Sequence, residues 1–158
     1  MTELLASEAE EVAFRSPDIT LLYLIKQVEL AVRSHLDDAV RNAGLTAVQY
    51  TALTVLERHP HLTSAELARN SFVRAQTMAQ MITVLDGRGL ILRRRDPNSH
   101  RQYLLSLTVK GQGVLDSLRT VVHGIEAQMI ADMTESQARQ LREALYSCRV
   151  TLGGVHAT

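Results

Sequence analysis

Cysteine, tryptophan and proline are scarce in this sequence of 158 residues, which contains one Cys, no Trp and three Pro. A lone cysteine, Cys148, excludes an internal disulfide and is typical of a reducing compartment. Met1-Thr2-Glu3 is acidic and no apolar run follows it, so a signal peptide is not expected. No stretch reaches the ~20 apolar residues of a membrane span. We therefore expect a cytoplasmic protein that does not enter a membrane.

Sequence signatures of catalysis are also missing. The chain has no Gly-rich phosphate loop, no HExxH motif and no nucleophile-elbow pattern. Cys148 belongs to an apolar helical stripe and has no activating base near it in sequence, which favours a buried or interfacial thiol. We expect no enzymatic activity, no cofactor and no bound metal.

An excess of charge of one sign is absent as well, because 17 basic side chains balance 17 acidic ones. The distribution along the chain is uneven. Residues 1–57 carry four basic and nine acidic side chains, residues 58–101 carry eight Arg and three acids, and residues 102–158 carry five of each. Basic charge is thus concentrated in the middle of the chain, as expected for one local surface that binds a polyanion.

This basic segment begins with two helical patterns. Thr63 and Glu66 match a capping box, which predicts the start of a short helix. A second helix is predicted from about Arg74 to Arg88, and Gly89 is suited to end it in the left-handed conformation. The apolar residues of the second helix recur at helical spacing and predict one buried stripe: Met78, Met81, Ile82 and Leu85.

The other side of the second helix carries polar side chains without an acid: Arg74, Gln76, Thr77 and Gln80. Gln and Arg can pair with purine edges, and Thr can contact a thymine methyl. We therefore predict that the start of this helix reads a DNA major groove. The alternative interpretation of the same residues is an ordinary solvated helix face.

Two apolar strands are predicted next, at residues 90–92 and 103–107, with an Arg-rich connection between them. Asp96-Pro97-Asn98-Ser99 predicts a turn, because Pro presets φ and the other side chains bond their own backbone. A hairpin beside a helix-turn-helix is a wing, and we predict that its polar residues contact DNA phosphates or the minor groove: Arg94, Arg95, Asn98, Ser99, His100 and Arg101. The alternative is a charged hairpin that only confers solubility.

Longer amphipathic helices flank this segment. They are predicted from Ser16-Pro17-Asp18 to about Asn42, from Thr46 to before Pro60, from Thr108 to about Asp132, and from Thr134 toward Gly153. The apolar stripes of the first and last helices are wider than one chain can cover, which favours a two-fold dimer. Residues 1–15 are either a short amphipathic helix or a frayed tail.

The whole pattern resembles the winged helix-turn-helix of the MarR family of bacterial transcription regulators. The matching residues are Leu45-Thr46, Gln49-Tyr50, Leu62-Thr63, Glu66-Leu67-Ala68, Gln76-Thr77-Met78, Leu85, Gly89-Leu90, Arg94, Asp96-Pro97, Arg101, Leu107-Thr108 and Gly111. The sequence departs from the family pattern at Ser99, where an acid usually helps to orient the wing Arg. It also departs at Arg74, where a Ser or Thr cap is common.

The resemblance implies a mainly α fold with a small β-hairpin. Residues 45–107 would form the winged helix-turn-helix DNA-binding domain, residues 16–44 and 108–158 a helical dimerisation region, and residues 1–15 an N-terminal extension. It further implies a homodimeric repressor on a palindromic site in double-stranded DNA, relieved by a small and commonly aromatic ligand. That ligand would lie between the dimer helices and the DNA-binding domain, near His35 and Tyr50, with Arg33 as an anion partner.

Two alternatives stay open. One is a helical protein-interaction module whose Arg-rich hairpin binds an acidic partner, and the other is a thiol-responsive regulator that acts through Cys148. A sequence-specific DNA complex that survives moderate salt would favour the DNA-binding regulator over the interaction module.

Overall fold

The computed structural model describes residues 19–153. Within this range it has six helices and one two-stranded antiparallel sheet. The helices are α1 (Leu21–Arg41), α2 (Ala47–Arg58), α3 (Ser64–Asn70), α4 (Ala75–Gly87), α5 (Val109–Met129) and α6 (Glu135–Thr151). The strands are β1 (Ile91–Asp96) and β2 (Ser99–Leu107). The predicted fold class, mainly α with a small β-hairpin, is confirmed.

The start of α1 differs from the prediction. The helix begins at Leu21, because the Thr20 hydroxyl accepts the N–H of Tyr23 at 3.2 Å and acts as its cap. Residues 19 and 20 are not helical, so a helix that runs unbroken from residue 16 is wrong. The predicted start at residues 16–18 and the N-terminal extension 1–15 lie outside the described residues.

The chain divides into two compact units, of which the first ends at His35 and the second begins at Leu36. The second unit starts with the end of α1, where Gly44 has φ +68° and the Leu45 N–H donates to the Val40 carbonyl at 3.3 Å. Val40 and Leu45 are both buried, so this turn also begins the core.

The core of the second unit lies between α2, α3, α4, the hairpin and the first half of α5. It consists of the buried residues Val40, Leu45, Ala52, Leu53, Leu56, Leu67, Ala68, Met78, Met81, Ile82, Leu85, Leu90, Ile91, Leu105, Leu115 and Leu118. The apolar stripe predicted for α4 is part of this set and is therefore confirmed.

The predicted helix caps are confirmed. Capping boxes join Thr46 to Gln49, Thr63 to Glu66 and Thr134 to Gln137 at the starts of α2, α3 and α6. Thr108 caps α5 by accepting the N–H of Gly111 at 3.0 Å. The end of α5 is earlier than predicted, at Met129, because residues 130–133 form a turn in which the Met133 N–H donates to the Ile130 carbonyl.

The end of α4 also follows the prediction. Gly89 has φ +70°, its N–H donates to the Asp86 carbonyl at 2.8 Å, and the Leu90 N–H donates to the Leu85 carbonyl at 3.0 Å. Leu85 and Leu90 are both buried. This pair of bonds with its apolar contact is the Schellman motif.

The hairpin is longer than predicted. β1 continues to Asp96 and β2 begins at Ser99, so only Pro97 and Asn98 form the turn. The prediction was too short because it used apolar residues to mark the strands. Backbone hydrogen bonds hold the exposed end of an antiparallel pair whatever the side chains are.

The sheet is joined to the helix-turn-helix by the chain in front of α3. The His61 N–H donates to the Leu105 carbonyl at 2.9 Å, and the Leu105 N–H donates to the Leu62 carbonyl at 2.8 Å. This short antiparallel bridge fixes the base of the hairpin next to the start of α3.

Gly111 lies where α5 passes closest to the end of α4. A Cβ at this position would lie 2.1 Å from the carbonyl oxygen of Leu90 and 3.1 Å from a methyl carbon of Leu107. The Thr108 N–H donates to the same Leu90 carbonyl at 3.2 Å. The close approach of α5 therefore requires a residue without a side chain at position 111.

Gly111→Ala is expected to lower the free energy of unfolding by about 2–3 kcal/mol, because a backbone carbonyl cannot move aside as a flexible side chain can. Gly113→Ala is the matched control, since no described atom beyond its own helix lies within 4 Å of the added carbon. The control is expected to stabilise the protein by about 0.5–1 kcal/mol. Urea unfolding measures both, and equal stability of the two variants would contradict the steric argument.

Candidate nucleic-acid interface

α3 supports the second helix of the helix-turn-helix. The Glu66 carboxylate accepts the Thr63 N–H at 2.7 Å and the Thr63 hydroxyl at 2.8 Å. The backbone bond from Thr63 is the main reason that the pKa of Glu66 lies below its ordinary value. Leu67 and Ala68, on the other side of α3, are buried. The short helix is thus held at its start by the capping box and along its length by the core.

α4 has one buried and one exposed side. Met78, Met81, Ile82 and Leu85 are buried. The exposed side contains all four residues predicted to read DNA, namely Arg74, Gln76, Thr77 and Gln80. The fold therefore brings these residues together at the N-terminal end of α4, as the sequence predicts.

The N-terminal end of α4 keeps positive character. Arg74 is the N-cap residue but makes no side-chain cap hydrogen bond, and the first turn contains no acid. The N–H groups of that turn lack the acceptor that a Ser or Thr cap would supply, and they carry the positive end of the helix dipole. An anion is the natural ligand for such a helix end beside exposed Arg and Gln side chains.

The predicted wing residues lie on the outer half of the hairpin. Arg94, Arg95, Asn98, His100 and Arg101 are exposed, and Ser99 is half-buried. Asp96 lies near these residues in sequence, but its Oδ1 accepts the Asn98 N–H at 2.8 Å inside the turn. Within residues 19–153 no carboxylate forms an ion pair with Arg94, Arg95 or Arg101. Their charges can therefore meet phosphate.

Tyr103 contacts two arginines of the wing, and the sequence did not identify it as a residue of the site. The guanidinium carbons of Arg93 and Arg95 lie 4.9 Å and 6.0 Å from the centre of its ring. Arg93 also forms an ion pair with Asp86 of α4 at 3.8 Å. The sequence alone does not show this contact, because it depends on the strand register, which pairs Arg95 with Tyr103 across the hairpin. Arg93 thus links the wing to α4, while Arg95 has no ion pair within residues 19–153.

The wing and the helix-turn-helix enclose a cleft of about 470 Å³. Thr63 and Ser64 from the start of α3, Thr83 from α4, and Arg93 and Arg101 from the hairpin contribute to its lining. From α4 the lining also includes Ala79 and Ile82, whereas the four residues predicted to read DNA lie outside the cleft.

The three residues predicted to bind a small ligand have different surroundings. Arg33 is ion-paired to Glu29 within α1, so it is not the unpartnered cation that an anion site favours. His35 is an exposed residue of the same helix. Tyr50, on α2, is half-buried, and burial is the main reason that its pKa is raised. A shared site for the three residues stays a prediction.

A polar cluster near Tyr50 joins α2 to α5. Glu57 Oε1 accepts Gln112 Nε2 at 2.6 Å and Arg119 Nη2 at 2.9 Å. These bonds, with that from Gln112 the larger, lower the pKa of Glu57, so its carboxylate is ionised at neutral pH. Arg119 also pairs with Asp116 at 2.7 Å, and Asp116 and Glu57 raise its pKa. None of these residues was identified from the sequence, because Glu57 lies more than fifty positions from Gln112 and Arg119.

The thiol of Cys148 was predicted to be buried or interfacial, and it is exposed in this chain, so burial within the single chain is excluded. Its helix, α6, has no buried residue at all. Ala138 and Leu141 of its apolar stripe are half-buried, while Leu145 and Cys148 are exposed. The periodicity of one sequence cannot distinguish such a stripe from one that packs inside the chain. An interfacial position for the thiol stays a prediction.

None of the helices between residues 19 and 153 is both long enough and apolar enough to cross a bilayer.

A helix-turn-helix with an exposed polar helix start, followed by a two-stranded Arg-bearing wing, defines the winged helix-turn-helix class. Comparison with known proteins gives the family. A sequence profile described as MarR family matches residues 43–102. The HTH-type transcriptional repressor Rv2887 of Mycobacterium tuberculosis is 30% identical over 128 residues, which cover 81% of this chain and 92% of that protein.

Solved structures agree with the sequence comparison. The crystal structure of Rv2887 in complex with DNA superposes with a TM-score of 0.69 at 28% identity, covering 83% of this chain and 98% of that one. Its complex with salicylic acid gives a TM-score of 0.70 at 30% identity, covering 84% and 98%. The chain therefore belongs to the MarR family of transcriptional regulators.

The Glu66 carboxylate is expected to give α3 a pH-dependent contribution to stability. Its folded pKa is lowered from about 4.5, so the contribution is present above that value and is lost as pH falls through the lower folded pKa. Glu66→Gln keeps a capping side chain but removes the negative charge near the helix start. The free energy of unfolding is therefore expected to fall by about 0.3–1 kcal/mol at pH 7. Urea unfolding of both proteins at pH 7 and pH 3 should show this difference shrinking at acid pH. A difference that is the same at both pH values would contradict the role of the charge.

Proposed function

We propose that this protein is a sequence-specific DNA-binding transcriptional repressor rather than an enzyme, and that it acts in the cytoplasm. The observation that carries the proposal is the set of exposed side chains at the start of α4, beside a wing whose outer arginines are unpaired within residues 19–153. The relative Rv2887 is itself named a transcriptional repressor and has been crystallised with DNA.

The start of α4 would enter the major groove. Gln76 and Gln80 can each make two hydrogen bonds to an adenine edge, and Thr77 can contact a thymine methyl. Arg74 is close enough to the uncapped helix end to pair with a phosphate or with guanine. Base choice would therefore come from α4.

The wing would supply position and affinity. Arg94, Arg95 and Arg101 are exposed and can track phosphates or enter a narrow minor groove. The predicted polar neighbours Asn98, Ser99 and His100 lie at the turn and the start of β2, where they can donate to the DNA backbone. Arg93 would contribute less directly, because Tyr103 and Asp86 already hold it.

A homodimer would present two such surfaces to a near-palindrome. Large apolar side chains are exposed in the single chain on α1, α5 and α6 and need cover: Leu21, Leu22, Ile25, Val28, Val121, Leu145, Tyr146 and Val150. We propose that residues 16–44 and 108–158 form the dimerisation region and that residues 45–107 are the DNA-binding domain. The same symmetric patch on both subunits is what a two-fold interface requires.

A small aromatic acid would relieve DNA binding. Rv2887 has been crystallised with salicylic acid and with p-aminosalicylic acid. For this chain we propose Tyr50 and His35 as the polar contacts of the ligand, with Arg33 as anion partner if it releases Glu29. The ligand acts only through different affinities for the free and the DNA-bound protein, so each weakens the binding of the other by the same factor.

Gln76→Ala and Arg101→Ala should change DNA binding in different ways. Gln76→Ala removes a bidentate base contact, so it should relax specificity at one base pair per half-site, at about 1–3 kcal/mol.

Arg101→Ala should weaken the binding of all sequences nearly equally and reduce the slope of log affinity against log salt concentration by about one. Binding-site selection and titration at two salt concentrations measure both effects, on half-sites that footprinting should place about one helical turn, 34–36 Å, apart. A Gln76→Ala selection profile identical to that of the parent would contradict the role of α4.

Salicylate should raise the unfolding temperature and weaken operator affinity together. At a concentration one hundred times its Kd, a ligand of the folded state stabilises it by about 2.7 kcal/mol. Tyr50→Phe and His35→Ala should each reduce both effects, whereas His123→Ala, at an exposed position of α5, is the control. A ligand that stabilises the protein yet leaves operator affinity unchanged would contradict the mechanism. A response kept in full by both variants would contradict the placement.

A further inference from the structure

The turn between α3 and α4 contains two features that are unfavourable by themselves. Phe72 has φ +59°, the left-handed region, and its side chain is 83% exposed. Ser71 is buried, and its hydroxyl has no hydrogen-bond partner within residues 19–153. A bulky residue with positive φ is an outlier, because its Cβ crowds the backbone, and Gly or Asn adopts this conformation at lower cost.

Backbone hydrogen bonds on both sides of Phe72 close the turn between α3 and α4. The Ser71 N–H donates to the Leu67 carbonyl at 2.9 Å, and the Val73 N–H donates to the Ala68 carbonyl at 3.1 Å. Val73, the next residue, is half-buried and packs against the core. Val73 therefore provides the packing at this turn, and the Phe72 ring stays in solvent.

The ring lies in the sequence between two exposed arginines, Arg69 and Arg74, and four residues before Gln76. Neither arginine forms an ion pair within residues 19–153. An exposed apolar side chain with exposed arginines close to it in sequence matches a polyanion that also carries apolar groups. The DNA duplex is such a partner, because thymine methyls and deoxyribose faces lie between its phosphates.

We propose that Phe72 is a DNA contact, in which its ring packs on a thymine methyl or a deoxyribose face next to the bases read by α4. The proposal rests on the proposed DNA-binding function. It accounts for the turn: the strained backbone at Phe72 and the exposed ring persist because the contact exists only in the DNA complex. Free protein gains nothing from either feature.

Phe72→Gly tests the proposal, because it removes the ring and at the same time suits the left-handed backbone. Operator affinity is expected to fall about tenfold, which corresponds to about 1.4 kcal/mol of binding free energy. The unfolding temperature is expected to stay the same or rise. Phe72→Leu, which keeps an apolar side chain, should retain most of the affinity, and Val109→Ala, at a 93% exposed apolar residue away from the turn, is the control.

The operator is used in two forms, with thymine and with uracil in its place, since uracil lacks only the methyl group. If the loss caused by Phe72→Gly is confined to the thymine form, the ring contacts a methyl. If the loss is equal in both, it contacts deoxyribose, and either result supports the proposal. Unchanged affinity of Phe72→Gly for an operator that the parent prefers over scrambled DNA would overturn the role of Phe72 alone.

Two other results would also overturn it. A change in oligomeric mass in Phe72→Gly would assign the ring to a contact between proteins. A parent protein without preference for the operator would overturn the proposed function and the role of Phe72 together.

Discussion

The C-terminal end of α4 is the point on which the rest of the second unit depends. The Arg88 guanidinium at this end donates to the Gly44 carbonyl at 2.6 Å and to the Ala43 carbonyl at 2.8 Å. The Thr108 hydroxyl donates to the Gly89 carbonyl at 2.6 Å, and Lys110 Nζ donates to the Arg88 carbonyl at 2.8 Å. A helix leaves its last carbonyls unpaired, and here the turn after α1 and the start of α5 are tied to that end. The opposite end of α4, about 20 Å away, is therefore the one left to meet a ligand.

The arginines between residues 58 and 101 divide into structural and available groups, although they look alike in the sequence. Arg88 is half-buried, and its guanidinium donates hydrogen bonds to backbone carbonyls. Arg93 is held by Tyr103 and by the carboxylate of Asp86. Arg94 and Arg101 are exposed at the outer half of the wing. The net charge of this segment therefore overstates the number of arginines that can bind phosphate, because some of them are already bound to other groups of the protein.

The cluster around Glu57 joins α2, which carries the proposed ligand contact Tyr50, to α5. Tyr50 and Glu57 belong to α2, and Gln112 and Arg119 of α5 bind the Glu57 carboxylate. Neither helix carries the proposed base contacts. A ligand would therefore act by favouring one arrangement of α2, α5 and the shared core over another, and its effect is limited to the difference in its affinity for the two arrangements.

The sequence by itself determined the features whose causes lie within a few residues. The caps at Thr46, Thr63, Thr108 and Thr134 and the glycine end of α4 could be predicted, because donor and acceptor are three to five positions apart. The exposed side of α4 followed from its period of 3.6. Tertiary structure alone decided what depends on distant neighbours: the length of the wing, set by pairing across the hairpin, and the steric need for Gly111, set by the carbonyl of Leu90. It also decided that Arg88 has a structural role, since the carbonyls that it binds lie more than forty residues away along the chain.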